Sequence, residues 1–194
     1  MSSRVKHKHL ARCLFLATVS SSSLAQVAPP EPPTGWFDRA LGRIDQIASK
    51  GEWDVLVSGY AMHDDDNYSA KRRAKLNNNA WGGGIGKTLR NDHGNDESIY
   101  AAAFLDSNRR VQWSMGVSHQ WVFPVAGTGV EASAGLTALV IRRHDWFDGM
   151  PFPAILPIFA VGTQRYKLNG MYVPHMSTKK GKGDVLLLFF KLSL

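Results

Sequence analysis

From about residue 51 to the C-terminus, apolar and polar residues alternate with a period of two. That period places successive side chains on opposite faces of β-strands. The last stretch is the plainest: Leu186, Leu188, Phe190, Leu192 and Leu194 share one face, and Lys191 and Ser193 the other. Eight strands are predicted, at about 52–63, 81–89, 98–106, 111–122, 129–142, 154–162, 166–174 and 184–194. Ahead of them Phe37, Leu41, Ile44, Ile47 and Ala48 recur at helical spacing, which predicts a helix over about 36–50 with Thr34 as its cap. The narrow apolar stripe opens on Trp36 and Phe37. It suits a helix lying in a membrane interface, and equally one packed on a soluble protein.

No stretch has 18 uninterrupted apolar residues, so no transmembrane helix is predicted. A chain that spans a bilayer without helices must be a closed barrel, because lipid cannot satisfy open backbone groups. An even count of eight strands is the smallest such barrel. The predicted fold class is therefore all-β, an eight-stranded antiparallel transmembrane β-barrel with an N-terminal amphipathic helix. The final residue of such barrels is usually aromatic; here it is Leu194.

The first 25 residues have the makeup of a cleaved signal peptide: basic Arg4, Lys6, Lys8 and Arg12, an apolar core from Leu14 to Val19, and small residues at Ser23 and Ala25. Residues 26–34 form a Pro-rich linker with Pro29, Pro30, Pro32 and Pro33. The domain reading is then signal peptide 1–25, linker 26–34, helix 35–50 and barrel 51–194. The lone cysteine, Cys13, falls in the signal, which excludes disulfides and Cys-based metal sites from the mature chain. Removing the four basic signal residues lowers the net charge from +7 to +3. The basic balance is thus poor grounds for nucleic-acid binding.

With the helix and the C-terminus on one side, strand one runs toward the other. The outer connections are then about 64–80, 107–110, 143–153 and 175–183, and the inner ones about 90–97, 123–128 and 163–165. His63 ends one outward strand; Asp106 and Ser107 end another. Strand counting alone places an imidazole, a carboxylate and a hydroxyl on one rim. A neutral histidine can serve as general base, a serine can attack or orient an ester carbonyl, and a carboxylate can orient the ring. Taken singly, His63 suits a structural role and Asp106-Ser107 a turn. The outer connections, counting Arg142 at the edge of the third, also gather Lys71, Arg72, Arg73, Lys75, Arg109, Arg110, Arg143, Lys179, Lys180 and Lys182. They suit lipid phosphates, or simple loop solvation diluted by Asp64, Asp65 and Asp66.

The run Trp81-Gly82-Gly83-Gly84-Ile85-Gly86 lacks P-loop spacing and a following helix. It reads instead as a strand with few inward side chains, which opens room in a narrow barrel. Gly116 and Gly135 can act likewise. The histidines show no clustering with acids that would hold a metal.

These residues together resemble the PagP family of outer-membrane lipid A palmitoyltransferases. The resemblance covers about 36–194. It is carried by the helix, by His63 eighteen residues before Trp81-Gly82-Gly83-Gly84-Ile85-Gly86, by Tyr100-Ala101-Ala102-Ala103-Phe104-Leu105-Asp106-Ser107, by Pro151-Phe152-Pro153-Ala154-Ile155-Leu156-Pro157 and by Tyr172-Val173-Pro174. It implies a tilted barrel whose interior holds one acyl chain, entered laterally from the outer leaflet. The implied reaction moves palmitate from the sn-1 position of a glycerophospholipid donor to lipid A of lipopolysaccharide, in the outer membrane of a Gram-negative bacterium, by a monomer with no cofactor, metal or nucleic acid. The implied catalytic residues are His63, Asp106 and Ser107. Gly116 matches the family's acyl-pocket floor if the loop after Ser107 is two residues shorter; without that gap Ser118 falls there. Pro157 and Pro174 match one lateral lipid gate. At the second gate Ser58 and Ala80 replace prolines, and Asn108 replaces a family tryptophan.

Two other readings compete. A non-enzymatic outer-membrane barrel that binds lipopolysaccharide would share the basic rim. A soluble lipocalin-type carrier, faintly suggested by Gly51-Glu52-Trp53, would leave the apolar row of the last strand facing water.

Overall fold

The computed structural model describes residues 35–63, 77–106, 108–144, 147–174 and 184–194. The expected signal peptide and linker, Thr34, Ser107, Asp64 to Asp66 and most of the basic loop residues lie outside the described residues.

The chain forms helix α1 (Trp36–Lys50) and strands β1 (Glu52–His63), β2 (Gly82–Arg90), β3 (Asp96–Leu105), β4 (Val111–Pro124), β5 (Glu131–Arg142), β6 (Pro151–Gly162), β7 (Tyr166–Val173) and β8 (Val185–Ser193). Each strand pairs antiparallel with its sequence neighbour, and β1 pairs with β8 to close the barrel. Closure gives every strand a partner on both flanks, although β1 and β6 run past the ends of their ladders to β2 and β7. The N-cap of α1 is Gly35 rather than Thr34, and no side chain caps the helix there.

The strand faces follow the alternation. Trp53, Val55, Val57, Ile85, Met115, Leu136, Ile155 and Phe190 point outward and are exposed. Trp53, Trp121 and Tyr166 mark the helix end of this outer surface, and Trp81, Tyr172 and Phe147 the opposite end. An apolar band between aromatic belts is the surface a barrel presents to lipid. The inner face of the last strand carries Leu187, Lys191 and Ser193, all buried.

One irregularity decides which way the site faces. Ser58 pairs with Phe189 and Tyr60 with Leu188, so Gly59 has no partner on β8. This is a β-bulge, and it shifts the alternation by one. Before it Asp54, Leu56 and Ser58 face the interior; after it Tyr60 and Met62 are exposed and Ala61 is buried. His63 shares the parity of Ala61. Without the bulge, His63 would share the outward face of Val55 and Val57.

Two strands start earlier than their composition predicts. β3 starts at Asp96, not 98, because Asp96 and Glu97 are held by ion pairs with Arg90 and Arg43, which offset their poor strand propensity. β6 starts at Pro151, not 154. Its ladder to β5 runs unbroken past Pro151, Pro153 and Pro157. The ladder to β7 begins only at Ile158, opposite Met171. The three prolines share one parity, so their missing donors fall on the flank that faces β7.

Candidate active site at the outer rim

The interior divides into two cavities set end to end. The outer one is lined by Ala61, Asp106, Gln112, Arg143, Phe152 and Val185 among others. The inner one is lined by Leu56, Ser58, Tyr100, Ala102 and Ile158 and reaches Asp54, Gln120 and Lys191. Phe104, Ser114, Met171 and Leu187 line both, so the two meet at that level. The glycines of β2 shape this space. Gly84 faces Ala102 and Gly86 faces Tyr100 across β3. A Cβ on Gly84 would lie 2.7 Å from that of Ala102, and one on Gly86 2.7 Å from the Ile99 carbonyl.

Asp106 ends β3 pointing inward and is only 5% exposed. Its Oδ1 accepts the backbone N–H groups of Asn108 and Arg110, both at 2.8 Å. The Asp106 amide donates to the Arg110 carbonyl at 2.8 Å, and the Arg109 amide to the Asp106 carbonyl at 3.0 Å. Arg109 takes φ 61° to close this turn. The second oxygen, Oδ2, is buried without a hydrogen-bond partner among the described residues, as is Oε1 of Gln112, which lines the same cavity. Unpaired buried acceptors are costly, which makes them candidates for contact with substrate.

His63 ends β1, and its Nδ1 lies 2.9 Å from Oδ1 of Asn78. The sequence pointed to Asp106 as a group able to orient the ring; the ring instead bonds the Asn78 side chain and the Ala61 main chain. The main chain of Asn78 accepts the Ala61 amide at 2.8 Å, and the Asn77 side chain reaches the Asp106 carbonyl at 3.4 Å. Residues 77–79 thus run from the end of β1 toward the end of β3. Ser107, the third expected member, lies outside the described residues. Gly116 faces inward on β4, between Tyr100 of β3 and Leu139 of β5. The Tyr100 hydroxyl reaches past it to Thr137 Oγ1 at 2.7 Å. Pro157 sits where the β6–β7 ladder stops, and Pro174 directly follows β7. The β1–β2 ladder stops at Ser58 and Gly82, five residues short of the end of β1.

The end of the barrel near α1 is filled by ions that the sequence reading did not single out. Lys167 Nζ lies 2.6 Å from Asp96 and 3.1 Å from Glu131. Arg90 forks onto Glu131 at 2.8 and 2.9 Å and bonds Asp96 at 2.6 Å. Lys191 donates to Thr88 at 3.0 Å and stands 3.8 Å from Asp54, which also accepts from Ser193. Three cations meet three carboxylates, so the cluster is neutral. It gives the inner cavity a polar floor. A signal was present: Lys191 and Ser193 alternate with the lipid-facing leucines, so both had to point inward. Among the described residues, no group of His, Cys, Asp or Glu is arranged to hold a metal.

A closed eight-stranded barrel with an apolar exterior, cavities in its interior and ionisable groups at one rim is a barrel of the membrane-spanning class. A family model described as the antimicrobial peptide resistance and lipid A acylation protein PagP matches residues 43–191. A Legionella pneumophila protein named lipid A acyltransferase PagP is 33% identical over 190 residues, covering 96% of this chain and 100% of the relative. Proteins of the same name from Bordetella bronchiseptica and Bordetella pertussis are 32% and 34% identical, covering 92% and 90% of this chain and 94% and 92% of theirs. The chain belongs to the PagP family.

Proposed function

We propose that the protein is a lipid A acyltransferase of the outer membrane, moving a palmitoyl chain from the sn-1 position of a glycerophospholipid to lipid A. The named activity of its full-length relatives supports the reaction class. The observation that carries the reading is the pair of adjoining interior cavities that run from the rim at Asp106, past Phe104 and Met171, to the polar floor at Asp54 and Lys191. An acyl chain seated there leaves its ester at the rim. Moving that chain out of the bilayer gains little hydrophobic energy, because lipid tails are as apolar as the cavity wall. Shape and position therefore contribute most, and holding two lipids in register can supply much of the acceleration.

His63 acts as general base through Nε2. It takes the proton of a lipid A hydroxyl as that oxygen attacks the sn-1 ester carbonyl. The ester C–O bond to glycerol then breaks, and His63 returns the proton to the departing lysophospholipid oxygen. In this direct transfer Ser107 serves as a hydroxyl that orients the carbonyl, with Asp106 as its electrostatic partner; in the two-step alternative Ser107 is the nucleophile, takes the acyl chain from the donor as the lysophospholipid leaves, and passes it to the lipid A hydroxyl. Donor entry falls at the proline-lined gap between β6 and β7. Residues 1–25 direct export and are removed, and the mature barrel works as a monomer.

Mass spectrometry of lipid A from cells with and without the protein tests the reading. A mass increase of one palmitoyl group is expected. An unchanged spectrum with the folded barrel present in the outer membrane overturns it in favour of a non-catalytic lipopolysaccharide-binding barrel.

A further inference from the structure

We propose that Asn78 is a positioning residue for His63: its side-chain oxygen takes the Nδ1–H of the ring and so fixes the tautomer whose Nε2 lone pair accepts the substrate proton. This rests on the reading of His63 as general base.

Three observations carry it. The Nδ1 to Oδ1 separation is 2.9 Å. In a neutral imidazole one nitrogen donates and the other accepts, so the partner at Nδ1 decides which nitrogen is basic. Second, the geometry is fixed by main chain. The Asn78 carbonyl accepts the Ala61 amide at 2.8 Å, and Ala61 is two residues from His63 on the inward face created by the bulge. Ring and amide are therefore held on one backbone frame. Third, the obvious alternative orienter is committed elsewhere. Asp106 Oδ1 accepts from the amides of Asn108 and Arg110, and its Oδ2 has no hydrogen-bond partner among the described residues, so neither oxygen bonds the His63 ring. An amide in this place orients the ring without adding a negative charge beside it. It thereby leaves the Asp106 carboxylate for the cavity side of the rim.

The test uses the full-length barrel in mixed micelles with phospholipid donor and lipid A. Asn78→Ala is expected to lower kcat about 10- to 100-fold, the range seen when a partner that orients a functional histidine is lost. KM for the donor should change by less than about twofold, since no substrate contact is removed. Asn78→Asp keeps an acceptor and should restore most of the lost rate. Imidazole 15N spectra of the unmodified protein should place the His63 proton on Nδ1. Spectra that place it on Nε2 overturn the proposal whatever the variants do, including any failure of Asn78→Ala to fold. Wild-type kcat in a folded Asn78→Ala barrel, with His63→Ala inactive, overturns it equally. Full activity in His63→Ala would instead refute the reading of His63 as base.

Discussion

Lys167 Nζ lies 2.6 Å from Asp96 Oδ2, with both side chains almost fully buried inside the barrel and 71 residues apart in the chain. Removing one member of such a pair leaves an uncompensated charge, which costs about 3–5 kcal/mol. Lys167→Ala should therefore unfold at clearly lower urea than the wild type. Lys167→Met combined with Asp96→Asn should recover part of the loss. Equal midpoints for single and double variants would show that the two residues do not act as a pair.

The rim groups should matter for chemistry and not for folding. His63→Ala is expected to cut acyl transfer by about 10²–10⁴-fold, the usual contribution of a positioned base. Ser107→Ala should abolish transfer. Both barrels should keep the heat-modifiable mobility of a folded barrel on electrophoresis. Undiminished lipid A acylation by folded Ser107→Ala would remove that residue from the site.

Gly116→Ala tests the depth of the acyl pocket. A Cβ there would lie 2.5 Å from the Ala138 carbonyl and 2.7 Å from the Leu139 Cβ. Overpacking of this kind costs about 1–3 kcal/mol. The displaced neighbours should also shorten the chain that fits. Mass spectra of the product should show acyl groups shorter than palmitate; an unchanged chain length places the floor elsewhere, toward Ser118 and the ion cluster.

Pro157→Ala restores a donor next to the point where the β6–β7 ladder stops. One added backbone hydrogen bond contributes about 0.5–1.5 kcal/mol to the closed arrangement. Transfer should slow by roughly two- to tenfold if donor lipid enters there. Stability should hold or rise slightly. An unchanged rate would point to entry at the β1–β2 gap, where the Ala61–Asn78 bond is the closing contact.

Much of the fold was legible because alternation is a local property. The outward row from Leu186 to Leu194 follows from period two, and so does the inward row of Lys191 and Ser193. Counting strands is enough to put His63 and Asp106 at the same end of the barrel. Charged strand ends were less legible. Asp96 and Glu97 resemble a turn by composition, and become strand only because Arg90, Lys167 and Arg43 compensate them from other elements. Asn78 went unremarked for a similar reason. Nothing in Asn77-Asn78-Asn79 distinguishes it from an ordinary polar connection.

What the sequence by itself determined is the alternation, the even strand count and hence which segments share a rim. What only the tertiary structure decided is register: the bulge at Gly59 that turns His63 inward, the reach of Asn78 to its ring, and the pairing of Lys167 with Asp96. The physical reason is that a period of two assigns each side chain a face from its own neighbours. Which residues stand opposite one another depends on the stagger at which β1 meets β8, and that is settled only when the barrel closes.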